Sequence, residues 1–257
     1  MQKNKIVFII LIVFAFQIVQ SQNPTANEFE KQLKSNSKLI LDKDYFLLGT
    51  LSDYLGRQKT YKSNTFIDNY YKGETSLISY IMKIYTDESP EFVVEKNQYP
   101  FNSVTDILHS KKIAEKMNSF YNFKNDGGFK MDSNFSKLKA AEFRKKINDF
   151  FKSTEPKDTV YVGTMKANLF KTNVQKISFI TGVYARYGES SKNRYCIVMY
   201  NSESKYDYCV SILKQLKCDD IEKEVKKNNI PVLQIVYFKP SRELKKYLDE
   251  YKFIKTE

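Results

Sequence analysis

One histidine and three cysteines are the residues of this 257-residue chain best suited to nucleophilic or metal chemistry. Any catalytic triad or dyad based on histidine has to use His109, with a nucleophile from elsewhere in the chain. His109 follows Leu108 at the edge of an apolar stripe, which reads as a boundary histidine held by a hydrogen bond. One histidine without a paired-cysteine motif also argues against a structural zinc site. Cys196 stands in the middle of an apolar run, the setting of an inert thiol rather than a nucleophile. If Cys209 and Cys218 share one continuous helix, nine residues separate them by about 13 Å, too far to bridge. Cys196 and Cys209 can instead be brought together, if the helix carrying Cys209 folds back on the strand carrying Cys196. A Cys196–Cys209 disulfide therefore competes with three buried free thiols.

The carboxylates offer less than their number suggests. "CDDIEKE" at 218–224 and the pair Asp249-Glu250 could serve glycoside hydrolysis or calcium binding. They alternate with lysines at helical spacing, so a solvated helix face is the simpler reading. "NDGG" at 125–128 begins like a calcium loop but lacks the alternating acidic ligands, and reads as a turn. There is no glycine-rich phosphate loop. No metal and no cofactor is expected. A hydrolase would need two or three of Asp158, Glu189, Glu203, Asp207 and Glu243 to converge in one cleft.

The stretch "FITGVYARYGESSKNRYCIVMY" at 179–200 supplies the candidate binding residues. Tyr184, Arg186, Tyr187 and Arg194 stand among its aromatic positions and are expected to line an exposed concavity. Tyrosine gives contact area with little loss of rotamer freedom.

The elements that would position these residues follow from periodicity. Residues 65–72 and 75–85 read as helical faces. Ser103, three residues before Asp106, resembles a capping box and opens a helix through Val104, Ile107, Leu108, Ala114 and Met117. Another helix is expected over 136–151. "TVYVGTM", Ile177–Tyr187, Tyr195–Tyr200 and "VLQIVYF" read as strands, and 205–217 as a helix. A short helix is expected over 219–225 and a last one from Ser241. Gly182 reads as a bulge. The strands Tyr195–Tyr200 and Val232–Phe238 are apolar on both alternating sets, so both of their faces should be covered. No internal repeat is visible in the residues.

The fold class is α+β: a helical N-terminal region, then a mixed four-stranded sheet in the order β-β-β-α-β-α with helices packed on it. The expected divisions are 1–21, 22–151 (mainly helical), a linker at 152–159, and a sheet domain at 160–257. The order α-β-β-β-α-β, with Glu203-Ser204-Lys205 after the third strand, resembles the core of the PD-(D/E)xK nuclease superfamily. The resemblance implies a divalent metal held by Glu203 and an acid from the preceding strand. This chain departs from that pattern, because Ile177–Tyr187 contains no Asp or Glu.

Lys3 and Lys5 precede an unbroken apolar run, Ile6–Phe16, and Val19-Gln20-Ser21 follows it. This is the pattern of a cleaved secretory signal with the cut before Gln22, and it implies a periplasmic or secreted protein. An uncleaved N-terminal anchor is the alternative. The formal charge is +12, yet only five of 42 basic residues are Arg. Dispersed lysine reads as a solvated surface, because bidentate recognition of phosphate or bases favours Arg. The sequence therefore favours an exported, non-catalytic binding protein whose partner is a protein, peptide or glycan rather than nucleic acid. The alternative is an exported carboxylate- or metal-dependent hydrolase, a divergent nuclease.

Overall fold

A computed structural model describes residues 39–60, 65–86, 92–98, 104–129, 159–191, 194–251 and 254, with isolated positions between 142 and 152. The chain divides after Leu39, and every described element lies within residues 40–257. The segment read as a secretory signal, 1–21, lies outside the described residues, as does nearly all of the helix expected over 136–151 and of the linker expected over 152–159. Among the described residues, no helix is long and apolar enough to cross a membrane.

The α+β class holds. The first helix, α1 (Lys43–Thr50), starts where the Asp42 carboxylate accepts from the amides of Asp44 and Tyr45 at 3.1 and 3.3 Å. This is an N-cap. Strands β1 (Arg57–Thr60) and β2 (Phe66–Tyr71) follow, then a 3-10 turn (Lys72–Glu74) and α2 (Thr75–Ile84). Next come β3 (Val93–Gln98), β4 (Val104–His109), α3 (Lys111–Asn118), β5 (Tyr121–Phe129) and β6 (Thr159–Met165). The last part is α4 (Asn173–Tyr187), β7 (Gly188–Ser191), β8 (Arg194–Tyr200), α5 (Glu203–Gln215), β9 (Asp219–Lys226), β10 (Leu233–Lys239) and α6 (Arg242–Tyr251).

Several elements differ from the sequence reading. Residues 177–187 are helix, not strand. Their β-branched and aromatic composition suggested a strand, but the Thr172/Gln175 capping box starts a helix just upstream. That helix is buried continuously from Ile177 to Arg186. Burial on every side removes the apolar stripe that would have betrayed the 3.6-residue period. The helix read from Ser103 is strand β4 followed by α3. The capping hydroxyl is that of Ser110, which accepts from the Ile113 amide at 3.4 Å. Residues 66–71 are a strand paired with β4. Within the region read as mainly helical, 22–151, the described residues thus carry β1 to β5. Residues 219–226 form a charged edge strand rather than a short helix; lysines and acids on an edge discourage pairing with other chains.

Among the described residues there is not one mixed sheet but three antiparallel ones, ordered β1-β6-β5, β2-β4-β3 and β7-β8-β10-β9. The extra strand β9 reverses the chain once more, and β10 runs antiparallel to both β8 and β9. In the four-stranded sheet the inner face is sealed: Ile197, Met199, Val236 and Phe238 are at most 1% exposed. The outer face is half covered, with Cys196 and Ile235 buried but Tyr200 48% exposed.

The topology contains a repeat that the residues conceal. The order α-β-β-α-β-β-α runs over 43–118 and again over 173–251. In each half the fourth strand (β4, β10) is flanked by the second (β2, β8) and the third (β3, β9). The halves meet where α1 packs on α4. A Cβ placed on Gly49 would lie 2.2 Å from the Phe179 carbonyl oxygen, and one on Gly182 would lie 2.0 Å from that of Phe46. The contact is reciprocal, glycine to the Phe-x-x-Gly carbonyl of the other helix. Gly182 is therefore a close-approach residue of a helix crossing, not a bulge.

Candidate functional site

The ends of α1 and α4 converge on a buried charged centre. The last carbonyls of α1 have no partner within the helix. Lys205, in the first turn of α5, supplies one: its ammonium donates to the carbonyls of Leu48 at 3.2 Å, Gly49 at 3.1 Å, and Leu51. A cation at a helix C-terminus is also favoured by the helix dipole. Asp53 lies just beyond, and its Oδ2 accepts from the Lys205 amide at 3.3 Å. Asp53 is 2% exposed, and its Oδ1 has no hydrogen-bond partner. Burial raises its pKa, partly offset by Lys205 and Arg57.

Arg186, in the last turn of α4, reaches into the other half. Its Nε donates to Glu74 Oε1 at 2.8 Å. Nη1 donates to the Thr50 carbonyl and to Asp68 Oδ2, both at 2.7 Å. Nη2 donates to the Asn69 carbonyl at 2.6 Å and to Glu74 Oε2 at 3.1 Å. All five donors of the guanidinium are thereby used. Arg57 is equally enclosed: it donates to Asn118 Oδ1 at 2.7 Å and to the carbonyls of Ile67 and Phe66. Three cations thus face three carboxylates, Asp53, Asp68 and Glu74. Asp68 is further occupied by the amides of Ser52 and Asn69, and Glu74 by that of Tyr71. A metal ion could enter only by displacing these pairs. The centre ties the two halves together.

Burial pushes Lys205 down to about 8, with Asp53 opposing the shift. The folded state then holds fewer protons than the unfolded one between about pH 8 and the ordinary lysine value of ~10.4. Stability from this group accordingly rises with pH across that window, by up to about 1.4 kcal/mol per unit. Burial moves Tyr70, Tyr121 and Tyr187 the other way, above the usual phenol value. The unfolded chain loses those protons first, so stability falls above about pH 10. Urea unfolding between pH 7.5 and 11 is expected to show a maximum near pH 9–10. The rising limb should be absent in Lys205→Met.

The four candidate binding residues do not share a concavity. Tyr184 is buried against the Tyr195 ring, with centroids 5.6 Å apart. Arg186 is the clamp just described. Tyr187 is half-buried, its hydroxyl donating to the Leu51 carbonyl at 3.3 Å. Arg194 alone lies on an outer sheet face, 2.9 Å from Glu222 and 5.1 Å from the Tyr237 centroid. The Cys196–Cys209 bridge is not formed: Cys196, Cys209 and Cys218 are buried thiols outside any disulfide. Burial raises the Cys209 thiol to about 12, which keeps it protonated and inert.

Glu189 on β7, Glu203 and Asp207 on α5, and Glu243 on α6 are all exposed, and Asp158 lies outside the described residues. Among the described residues, no three His, Cys, Asp or Glu side chains are grouped to hold a metal. The PD-(D/E)xK likeness lapses, since its second strand is helix α4 and the Glu203 and Lys205 side chains part, one exposed and one buried. His109 is a boundary histidine, 3.3 Å from the Thr65 hydroxyl and 3.4 Å from a Glu95 oxygen, at the rim of an open cleft. The residues missed by sequence reasoning are Asp53, Arg57, Asp68, Glu74 and Lys205. The paired Phe-x-x-Gly at 46–49 and 179–182 was the one local signal that could have led to them.

The three sheets differ in charge. On β7-β8-β10-β9, Arg194, Lys223, Lys226 and Lys239 are outnumbered by Glu189, Asp219, Asp220, Glu222 and Glu224. On β2-β4-β3, Lys96 stands against Asp68, Glu95 and Asp106. Among the described sheets only β1-β6-β5 carries a cation excess, Arg57, Lys59 and Lys124 against Asp126. Lys166 follows at the end of β6.

No family model matches the chain, and no curated protein does. Its described fold is similar to solved homing endonucleases. Mesophilic variants of I-DmoI align at 13% identity and a TM-score of 0.43, over 82% of this chain and 94% of theirs. I-DmoI in complex with DNA and Ca aligns at 14% and 0.42, over 79% and 85%. I-WcaI bound to its DNA recognition sequence aligns at 11% and 0.39, over 91% and 92%. Two of these three structures contain DNA, against the expectation of a protein, peptide or glycan partner in preference to nucleic acid.

Proposed function

We propose that this chain binds nucleic acid, through the sheet β1-β6-β5. The observation that supports the reading is the charge sorting among the sheets. Phosphate is repelled by carboxylate and drawn to a local excess of lysine and arginine. Among the described sheets only β1-β6-β5 provides that excess; with Arg57 enclosed, it is carried by Lys59 and by the exposed Lys124, which stand on opposite faces of the sheet. The outer face of the four-stranded sheet already pairs its cations, Arg194 with Glu222 and Lys226 with Glu224. A phosphate would have to break those pairs. If residues 1–21 direct export as expected, the partner is met outside the cytoplasm.

A second reading, a divergent nuclease, draws on Asp53, whose Oδ1 is the one unpartnered carboxylate oxygen at the charged centre. Lys205 and Arg57 beside it oppose an added cation, so binding without cutting is preferred.

The test is fluorescence anisotropy of labelled DNA and RNA over a salt series, with Mg2+ added to parallel samples to reveal cutting. Binding is expected to weaken steeply with salt. The pair Lys59→Ala and Lys124→Ala should weaken it further and flatten the log–log salt slope by about 0.7–0.9 for each phosphate no longer neutralised. Binding that is absent, or that both variants leave unaltered, would falsify the proposal.

A further inference from the structure

We infer that the nucleic acid taken by β1-β6-β5 is single-stranded, an inference that rests on the reading above. Charge would serve duplex and single strand alike. The distinguishing feature is aromatic. Strand register sets Lys59 opposite Tyr161, Tyr161 opposite Asn125, and Phe123 opposite Gly163, all on one face of the sheet. At Gly163 an added Cβ would lie 2.8 Å from the Phe123 ring, so the bare glycine lets that ring lie across β6. The Lys59 ammonium stands 4.2 Å from the Phe123 centroid and 5.8 Å from that of Tyr161. Tyr121 continues the row, its ring 6.2 Å from Phe123 and the Arg57 guanidinium 5.7 Å from its own centroid.

On this face the two cations stand on β1 and the rings on β6 and β5, so one edge of the sheet is positive and the rest aromatic. The inner end, Arg57 and Tyr121, is sealed into the charged centre. The outer end, Lys59, Phe123 and Tyr161, is half-buried and ends at the exposed Asn125. Aromatic rings beside a positive surface are what an unpaired strand requires, because bases stack on the rings while the cations follow the phosphates. In a duplex both faces of every internal base are already covered by its neighbours, so the rings have nothing to stack on. Every base has a π-face, so the binding is tolerant of sequence. Lys59, held over the rings in the free protein, becomes the phosphate ligand when a base takes its place.

The experiment uses the full chain and three fluorescein-labelled probes at fixed salt: a dT oligonucleotide, an rU oligonucleotide of the same length, and a hairpin duplex. Single strands are expected to bind at least about ten times more tightly than the duplex, and the DNA and RNA arms identify the preferred sugar. Phe123→Leu keeps apolar bulk but removes the π-face; it should weaken single-strand binding about 5- to 150-fold and leave the duplex unchanged. Phe123→Tyr should restore the wild-type preference, which separates stacking from a packing defect. Equal affinity for single strand and duplex, or an equal loss for both in Phe123→Leu, overturns this inference while the nucleic-acid reading stands. Binding to none of the three probes overturns both.

Discussion

Gly182→Ala is expected to destabilise the protein by about 3 kcal/mol or more, although alanine is the better helix former by up to ~1 kcal/mol. The added methyl would sit 2.0 Å from the Phe46 carbonyl oxygen, a backbone atom that cannot rotate away. The helices must separate, and separation opens a seam lined by residues that are fully buried, Phe46, Leu47 and Phe179 among them. For a chain of this size the loss corresponds to a melting temperature lower by about 6–12 °C. Gly49→Ala should behave alike, since its methyl would meet the Phe179 carbonyl oxygen at 2.2 Å. The double variant should cost less than the sum, because one separation relieves both clashes. A melting temperature unchanged or raised in either single variant would show that the crossing is looser than described.

Arg186→Met should cost about 3–5 kcal/mol by urea unfolding, comparable with the glycine substitution but for an electrostatic reason. Methionine fills much of the arginine volume, so the loss is not mainly a cavity. It leaves Asp68, whose side chain is 4% exposed, without its cation, and strands the carbonyls of Thr50 and Asn69. Arg186→Lys should fall between, because an ammonium has three donors and cannot fork across Asp68 and Glu74 together. Adding Asp68→Asn to Arg186→Met should recover part of the stability, since the uncompensated buried charge is then gone. If Arg186→Met unfolds like the wild type, the centre is not what holds the two halves.

Sequence reading succeeded where one period dominates or a cap is unambiguous. Strands β6, β8 and β10, helix α5 and the Leu244, Tyr247, Leu248 and Tyr251 face of α6 were legible for that reason. It failed where burial is complete. Helix α4 is enclosed on all sides, so its residues are chosen for apolarity and close packing, and β-branched composition then mimics a strand. The charged edge strand β9 failed in the opposite direction, since lysines and acids at spacings of three and four look like a solvated helix.

The candidate site was the least legible part. Asp53, Asp68, Glu74, Arg186 and Lys205 are spread over 152 positions, and each looks ordinary in its own neighbourhood. Their meaning comes from desolvation, which only the folded chain imposes. The sequence by itself determined the α+β class, the apolar strands, the poverty of histidine and cysteine chemistry, and the dispersed positive charge. Tertiary structure alone decided that Arg186 is an internal clamp rather than a binding residue, and which sheet keeps its cations unbalanced. The reason is that local periodicity reports how a segment is buried, whereas pairing of charges depends on which distant segments are brought within a few ångströms.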